Sequence, residues 1–222
     1  MNNQKVVVFG KGQNAEVAYR YLSADSDHKI VAFTADSSHI GNDENYLGLP
    51  LVPFSKIEEL FSPTEYRMFL PISFYELNRL REHKYTEAKN KGYKLISYVH
   101  SSCIKMYDSI GENCCILDNN TLQPGVKIGN NVVIWSNNHI GHHSTIEDNV
   151  FISSGVIVSG SVNLGRNSFV GVNSTIRDRI NIGANSIIGA GSLILKNVPE
   201  KSVISRGGDI PSSVTSDKIR LV

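Results

Sequence analysis

The stretch Ile110-Gly-Glu-Asn-Cys-Cys-Ile116-Leu-Asp-Asn-Asn-Thr-Leu122-Gln-Pro-Gly-Val-Lys-Ile128-Gly-Asn-Asn-Val-Val-Ile134 carries an aliphatic side chain at every sixth residue. Extending the step back to Ile104 and forward through Ile140, Ile146, Ile152, Val158, Leu164, Val170, Ile176, Ile182 and Ile188 to Ile194 gives sixteen aliphatics in succession. A period of six is neither the 3.6 of a helix nor the 2 of a flat strand. It fits a triangular parallel β-helix, in which three hexads make one coil and the aliphatic of each hexad points inward. Glycine follows many of these aliphatics, at Gly111, Gly129, Gly141, Gly165, Gly171, Gly183 and Gly189. These glycines are expected at the corners, where backbone conformation is demanding. A small or short residue recurs four places on, as at Cys114, Val126, Val132, Ser144 and Ser168. Sixteen hexads make about five coils, each bonded to the coils above and below, so core stability accumulates unit by unit. Open ends and flat faces would need cover or oligomerisation.

The chain ahead of the repeat has a different grammar. Residues 5–9, Lys-Val-Val-Val-Phe, read as a buried strand. Gly10-Lys11-Gly12-Gln13-Asn14-Ala15 follows and leads into a helical stretch ending near Leu22. This is G-x-G-x-x-A between strand and helix, the context of a phosphate-cradling turn. Further strands are expected at Lys29–Thr34, ending near Asp36, at Met68–Ile72 and at Lys94–Val99, with a long helix from about Phe74 to Lys91. Ser55-Lys56-Ile57-Glu58 has capping-box form and predicts a short helix. Alternating strands and helices imply a small parallel sheet, a Rossmann-like half domain. The expected organisation is therefore an α/β domain at 1–99, β-helix at 100–198 and a tail at 199–222.

The 222 residues carry 22 basic and 21 acidic side chains, a net charge of +1. This lacks the basic excess of a nucleic-acid binder. The charge is uneven, however. Residues 160–206 hold six basic side chains, including Arg166, Arg177, Arg179 and Lys196, against Asp178 and Glu200. A local basic surface suits a small polyanion such as a phosphorylated cofactor. The apolar run at the N-terminus is too short for a signal peptide or a membrane span. Cys103, Cys114 and Cys115 form neither a disulfide framework nor a metal-ligand spacing. A cytoplasmic protein with no membrane insertion and no bound metal is expected.

Trp135-Ser-Asn-Asn-His139-Ile140-Gly141-His142-His143 holds three of the chain's seven histidines. With Ile140 and Ile146 inward, His139 and His142 project outward or along a corner. Histidine is the side chain best suited to proton transfer near neutral pH. A general base, a metal site and a polar run without a role all fit this composition. No histidine or carboxylate lies one coil away from His142, where Pro124 and Gly160 stand.

A Rossmann-like domain joined to hexapeptide coils that end in Ile188-Gly189-Ala190-Gly191-Ser192 resembles the nucleotide-sugar acetyltransferases related to sialic-acid O-acetyltransferase and the bacillosamine-pathway N-acetyltransferase. The likeness covers about residues 4–198. It implies a left-handed β-helix, a homotrimer and acetyl-CoA as co-substrate. It also implies a nucleotide-linked amino sugar (dTDP-, UDP- or GDP-linked) as acceptor, in surface polysaccharide or O-antigen synthesis. By the resemblance, His142 is the general base. His143 stands where the family often has an acidic residue that orients the ring, and His139 or a neighbouring Asn such as Asn138 is a substitute for that partner. Gly10, Gly12, Asp36, Asn78 and Arg81 match the nucleotide-sugar contacts. Gly160 and Ala190 match the pantetheine contacts, and Lys196 falls in the basic stretch assigned to acetyl-CoA. A sugar O-acetyltransferase of the same family is the near alternative. A β-helix metal hydratase of carbonic anhydrase type and a non-catalytic nucleotide sensor are the distant ones.

Overall fold

A computed structural model describes residues 3–205. The part of the expected tail from residue 206 onward lies outside the described residues. The N-terminal sheet contains β1 (Lys5–Phe9), β2 (Lys29–Ala35), β3 (Asn45–Tyr46), β4 (Leu49–Pro53), β5 (Arg67–Phe69) and β6 (Lys94–Leu95). The spatial order is β3-β4-β2-β1-β5-β6, parallel except for the β3–β4 pair. Helices α1 (Gln13–Asp25), α2 (Ser37–Ile40), α3 (Ile57–Leu60) and α4 (Arg79–Asn90) connect the strands. Alternation along β1 splits the core. Val6 and Val8 pack towards α1, while Val7 and Phe9 pack with Phe54, Ile57 and Ala88 on the other side.

Two expectations change here. The long helix starts at Arg79, not Phe74, because Glu76, Leu77 and Asn78 take left-handed backbone angles with φ of 50°, 53° and 67°. The strand expected at Lys94–Val99 is two strands. Lys94–Leu95 completes the N-terminal sheet beside β5, whereas Tyr98–Val99 pairs with Cys115–Ile116 in the first coil. The chain passes between the two sheets at Ile96 and Ser97.

The hexads form the left-handed parallel β-helix, with three faces of short strands. The first face runs from Tyr98–Val99 through Cys115–Ile116, Val133–Ile134, Phe151–Ile152, Phe169–Val170 and Ile187–Ile188 to Val203–Ile204. The second runs from Ile104–Lys105 through Thr121–Leu122, His139–Ile140, Ile157–Val158 and Thr175–Ile176 to Leu193–Ile194. The third runs from Ser109–Ile110 through Lys127–Ile128, Thr145–Ile146 and Asn163–Leu164 to Asn181–Ile182. Each inward aliphatic stacks on the one a coil away, as Ile116 on Ile134 and Ile134 on Ile152. From Ile116 to Ile188 they are almost entirely buried, each contributing about 1.5–3 kcal/mol.

The repeat breaks in its first unit. Lys105 pairs with Leu122 and Ile104 with Thr121, so Ile104 faces outward and is 54% exposed. Cys103, buried, packs into the core nearby. The glycines also serve a different purpose from the one expected. From Asn113 to Gly191 every sixth residue is left-handed, and these are mostly Asn rather than the glycines that follow the aliphatics. The six from Gly111 to Gly183 face a steric limit instead. A Cβ on Gly141 would lie 2.5 Å from the backbone carbon of Ser159, and one on Gly171 would lie 2.6 Å from the Ala190 nitrogen. Neighbouring coils approach too closely there for any side chain.

The outward residues of the first face are Cys115, Val133, Phe151, Phe169 and Ile187. They give an apolar surface that the N-terminal domain covers. The cluster of Val6, Val8, Ala15, Ala18, Leu22 and Phe33 continues into Cys115, Val133 and Phe151. Polar contacts fix the docking. Tyr21 Oη donates to Asp118 Oδ1 at 2.6 Å. Asn113 exchanges bonds with the Leu70 backbone and heads an amide ladder through Asn131, Asn149 and Asn167, at 2.8, 2.8 and 3.0 Å. Asn167 donates to Glu82 at 2.7 Å and closes the ladder on α4.

Candidate functional site

His142 and His143 occupy the edge between the second and third faces. This edge lies opposite the first face, on which the N-terminal domain sits. Both rings are exposed. The His142 amide donates to Gln123 Oε1 at 2.9 Å, and the two Nδ1 atoms share a hydrogen bond of 3.1 Å. The His142 ring lies over Gly160 on the next coil. A Cβ there would come within 2.6 Å of both Cε1 and Nε2 of the ring, so the absence of a side chain makes the seat. Further along the same edge come Arg177, Asp178 and Arg179, then Lys196, all exposed. His142, His143, Gly160 and Lys196 thus share one edge. His139 is half-buried on the second face, between Thr121 and Ile157. Ala190 lies on another edge, between the first and second faces, away from Gly160.

The N-terminal glycine turn sits at the carboxyl ends of β1 and β2. Gly10 has φ of 119°, and its amide donates to the Thr34 carbonyl at 2.7 Å. Gly12 caps α1 with no side chain over the helix end. Asp36 ends β2 and accepts from Lys84 Nζ at 2.7 Å. The same Lys84 also pairs with Glu87 at 2.7 Å, and its ammonium is held protonated above the ordinary range: burial opposes this, and the bonds from Asp36 and Glu87 outweigh it.

Asn78 and Arg81 require a correction. They do not face an open cleft but are buried at the junction of the two domains. Arg81 Nε donates to the Asn131 carbonyl at 3.1 Å. One terminal nitrogen donates to Asn149 and Val150 at 2.8 and 3.3 Å, and the other to Ile72 and Ser73 at 3.3 Å. Burial pushes the guanidinium down to about 9. Asn78 Nδ2 donates to the carbonyls of Asn167 and Ser168. Both side chains join the domains and have no free donor for a ligand.

A cleft that sequence reasoning missed opens where α1, the 73–75 segment and the edge between the first and second faces meet. It has a volume of 430 Å³, and its lining includes Gln13, Asn14, Tyr75, Trp135, Ser153 and Ser154. Phe74 also lines it and meets Phe151 and Phe169 at ring distances of 5.1 and 4.9 Å. The signal was present in the residue before each inward aliphatic. On the first face those residues are apolar or aromatic, while on the third they are Lys127, Thr145, Asn163 and Asn181. The cleft and His142 lie on different edges of one chain, with the second face between them.

Hexapeptide coils with an α/β domain on one face define a hexapeptide-repeat protein. The bacterial transferase hexapeptide family (six repeats) matches residues 109–142, 125–160 and 161–196. No curated protein sequence matches the chain. Among solved structures, the acetyltransferase domain of PglB from Neisseria gonorrhoeae is 22% identical with a TM-score of 0.79, over 90% of this chain and 96% of that one. PerB from Caulobacter crescentus, solved with CoA and GDP-perosamine, is 23% identical with a TM-score of 0.79, over 90% and 92%. WeeI from Acinetobacter baumannii is 17% identical with a TM-score of 0.77, over 90% and 96%. This chain therefore has the fold of these three structures along nearly its whole length and carries the bacterial transferase hexapeptide repeat. Among the described residues, no helix is long and apolar enough to cross a membrane.

Proposed function

We propose that the protein transfers the acetyl group of acetyl-CoA to the amine of a nucleotide-linked amino sugar, with His142 as general base. The observation that carries this reading is the seat of His142. Its ring is exposed and lies over a side-chain-free residue, on an edge that leads to Arg177, Arg179 and Lys196. A thioester beside Nε2 would run its pantetheine past Gly160 and set its phosphates near these cations. The acceptor amine attacks the thioester carbonyl carbon and His142 Nε2 takes the amine proton. The tetrahedral intermediate then expels the CoA thiolate, which takes the proton back from the imidazolium. Holding the two substrates together supplies much of the rate.

The sugar nucleotide belongs in the aromatic cleft, whose lining is neutral. Its diphosphate would meet the open N-terminus of α1 at Gly12, Gln13 and Asn14. Gly10, Gly12 and Asp36 stand at the strand ends where parallel α/β sheets bind nucleotides. GDP-perosamine in the PerB structure is a chemical precedent. Because cleft and base are on different edges, the reaction needs a second copy of the chain, and we assign a homotrimer. Each site then combines one chain's cleft and Ala190 edge with its neighbour's His142 edge. The reaction suits the cytoplasm, where activated sugars and acetyl-CoA meet, and the synthesis of a surface glycan such as O-antigen.

The test is thiol release from acetyl-CoA with dTDP-, UDP- and GDP-linked amino sugars, beside calorimetric titration with CoA and with each nucleotide. Acetylation of one amino sugar and binding of CoA are expected. Nucleotide binding without CoA binding would overturn the reading.

A further inference from the structure

Eight of the fourteen left-handed positions from Asn113 to Gly191 hold Asn and three hold Gly. These are the residues that tolerate that conformation. The three exceptions, His143, Ser161 and Arg179, with φ of 57°, 58° and 57°, follow one another on the His142 edge. His143 therefore occupies a left-handed corner, a conformation that costs most side chains roughly 1 kcal/mol. From that corner its Nδ1 reaches His142 Nδ1 at 3.1 Å. On the other side Gly160 leaves room for the far half of the His142 ring.

We propose that His143 is the positioning residue of the base: a neutral imidazole whose Nδ1 lone pair accepts the His142 Nδ1 proton. The inference rests on the acetyltransferase reading above. A base must present a lone pair at Nε2, which requires the proton on Nδ1. The Nδ1-to-Nδ1 bond allows only one proton between the two rings, so His143 carries its own proton on Nε2. When His142 Nε2 takes the substrate proton, the same bond becomes charge-assisted and strengthens. The pair thus does the work of an imidazole with a carboxylate behind it, using a neutral acceptor. The charged groups facing it are few. Asp108 and Lys127 share a hollow with His143, Gly125 and Thr145 on the near side. On the far side the coil at Ser159, Gly160 and Ser161 is uncharged, and Arg177, Asp178 and Arg179 come one coil later.

Long-range proton–nitrogen NMR of the imidazole rings, assigned by single substitutions, reads the tautomers without any substrate. Above the titration range, His142 is expected as the Nδ1–H form and His143 as the Nε2–H form. The reverse pattern overturns the proposal. Kinetics give a second reading. His143→Asn keeps both the corner and a neutral acceptor, and should hold kcat within about tenfold. His143→Gly keeps the corner alone and should lose on the order of 10- to 100-fold. His143→Asp places a carboxylate behind the ring and should move the acid limb of kcat/KM to higher pH. Equal activity and an unmoved acid limb in all three variants overturn the positioning role. Full activity in His142→Ala overturns the base assignment itself, so the two failures are distinguishable.

Discussion

Gly160→Ala perturbs the site with one methyl group. The Cβ would stand 2.6 Å from His142 Cε1 and Nε2 and 3.2 Å from Cδ2. Ordinary carbon contacts need about 3.5–4.0 Å, so the ring must move by about 1 Å. The three nearest atoms all belong to that exposed ring and none to backbone. Gly160 has no left-handed φ, so the backbone itself accepts alanine. The protein should therefore fold with a stability change within about 0.5 kcal/mol, as at other surface sites. A displacement of about 1 Å at a reacting group costs on the order of 10² in rate. The assay is acetyl transfer at saturating acetyl-CoA, with urea unfolding alongside. A fall in kcat of that size at unchanged stability is expected. Unchanged kcat would refute the claim that Gly160 seats the catalytic ring.

Three further outcomes follow from the same structure. Arg81→Ala removes the donor for five carbonyls at the domain junction and should destabilise by about 3–5 kcal/mol, read as a lower urea midpoint; an unchanged midpoint contradicts the role given to Arg81. The Ser136 and Tyr21 hydroxyls hold the Asp118 carboxyl below its ordinary value of 3.8, so its contribution is present above that pH and is lost as pH falls through the lower folded value. Wild type should accordingly exceed Asp118→Asn in stability at neutral pH, with the gap closing below about pH 4; a constant gap contradicts it. Finally, trimers mixed from inactive His142→Ala chains and inactive cleft variants such as Tyr75→Ala should recover part of the activity, since some sites would pair an intact edge with an intact cleft. No recovery on mixing places the whole site within one chain.

Hexad spacing made the coils legible because each inward side chain is set by local register alone. Its limits are equally local. Ile104 satisfies the period yet faces outward, because the chain enters the first coil one residue out of step from the N-terminal sheet. The glycines after the aliphatics were legible as special, but periodicity cannot separate a left-handed corner from a close approach between coils. Asn, which is common two places beyond those glycines, was the corner signal. His142 was legible from register, since two inward aliphatics fix which way it points. Arg81 was not, because its burial depends on docking the N-terminal domain against Asn131 and Asn149, far away in sequence. Ala190 and Gly160 likewise look alike in sequence, and only counting around the triangle puts them on different edges.

The central claim is that His142 takes the acceptor's proton. The most direct test is turnover of His142→Ala at saturating acetyl-CoA and amino-sugar nucleotide, with CoA affinity measured on the same preparation. A loss on the order of 10²–10⁴ in kcat with CoA binding retained is the expected result. Full turnover in that variant would contradict the account.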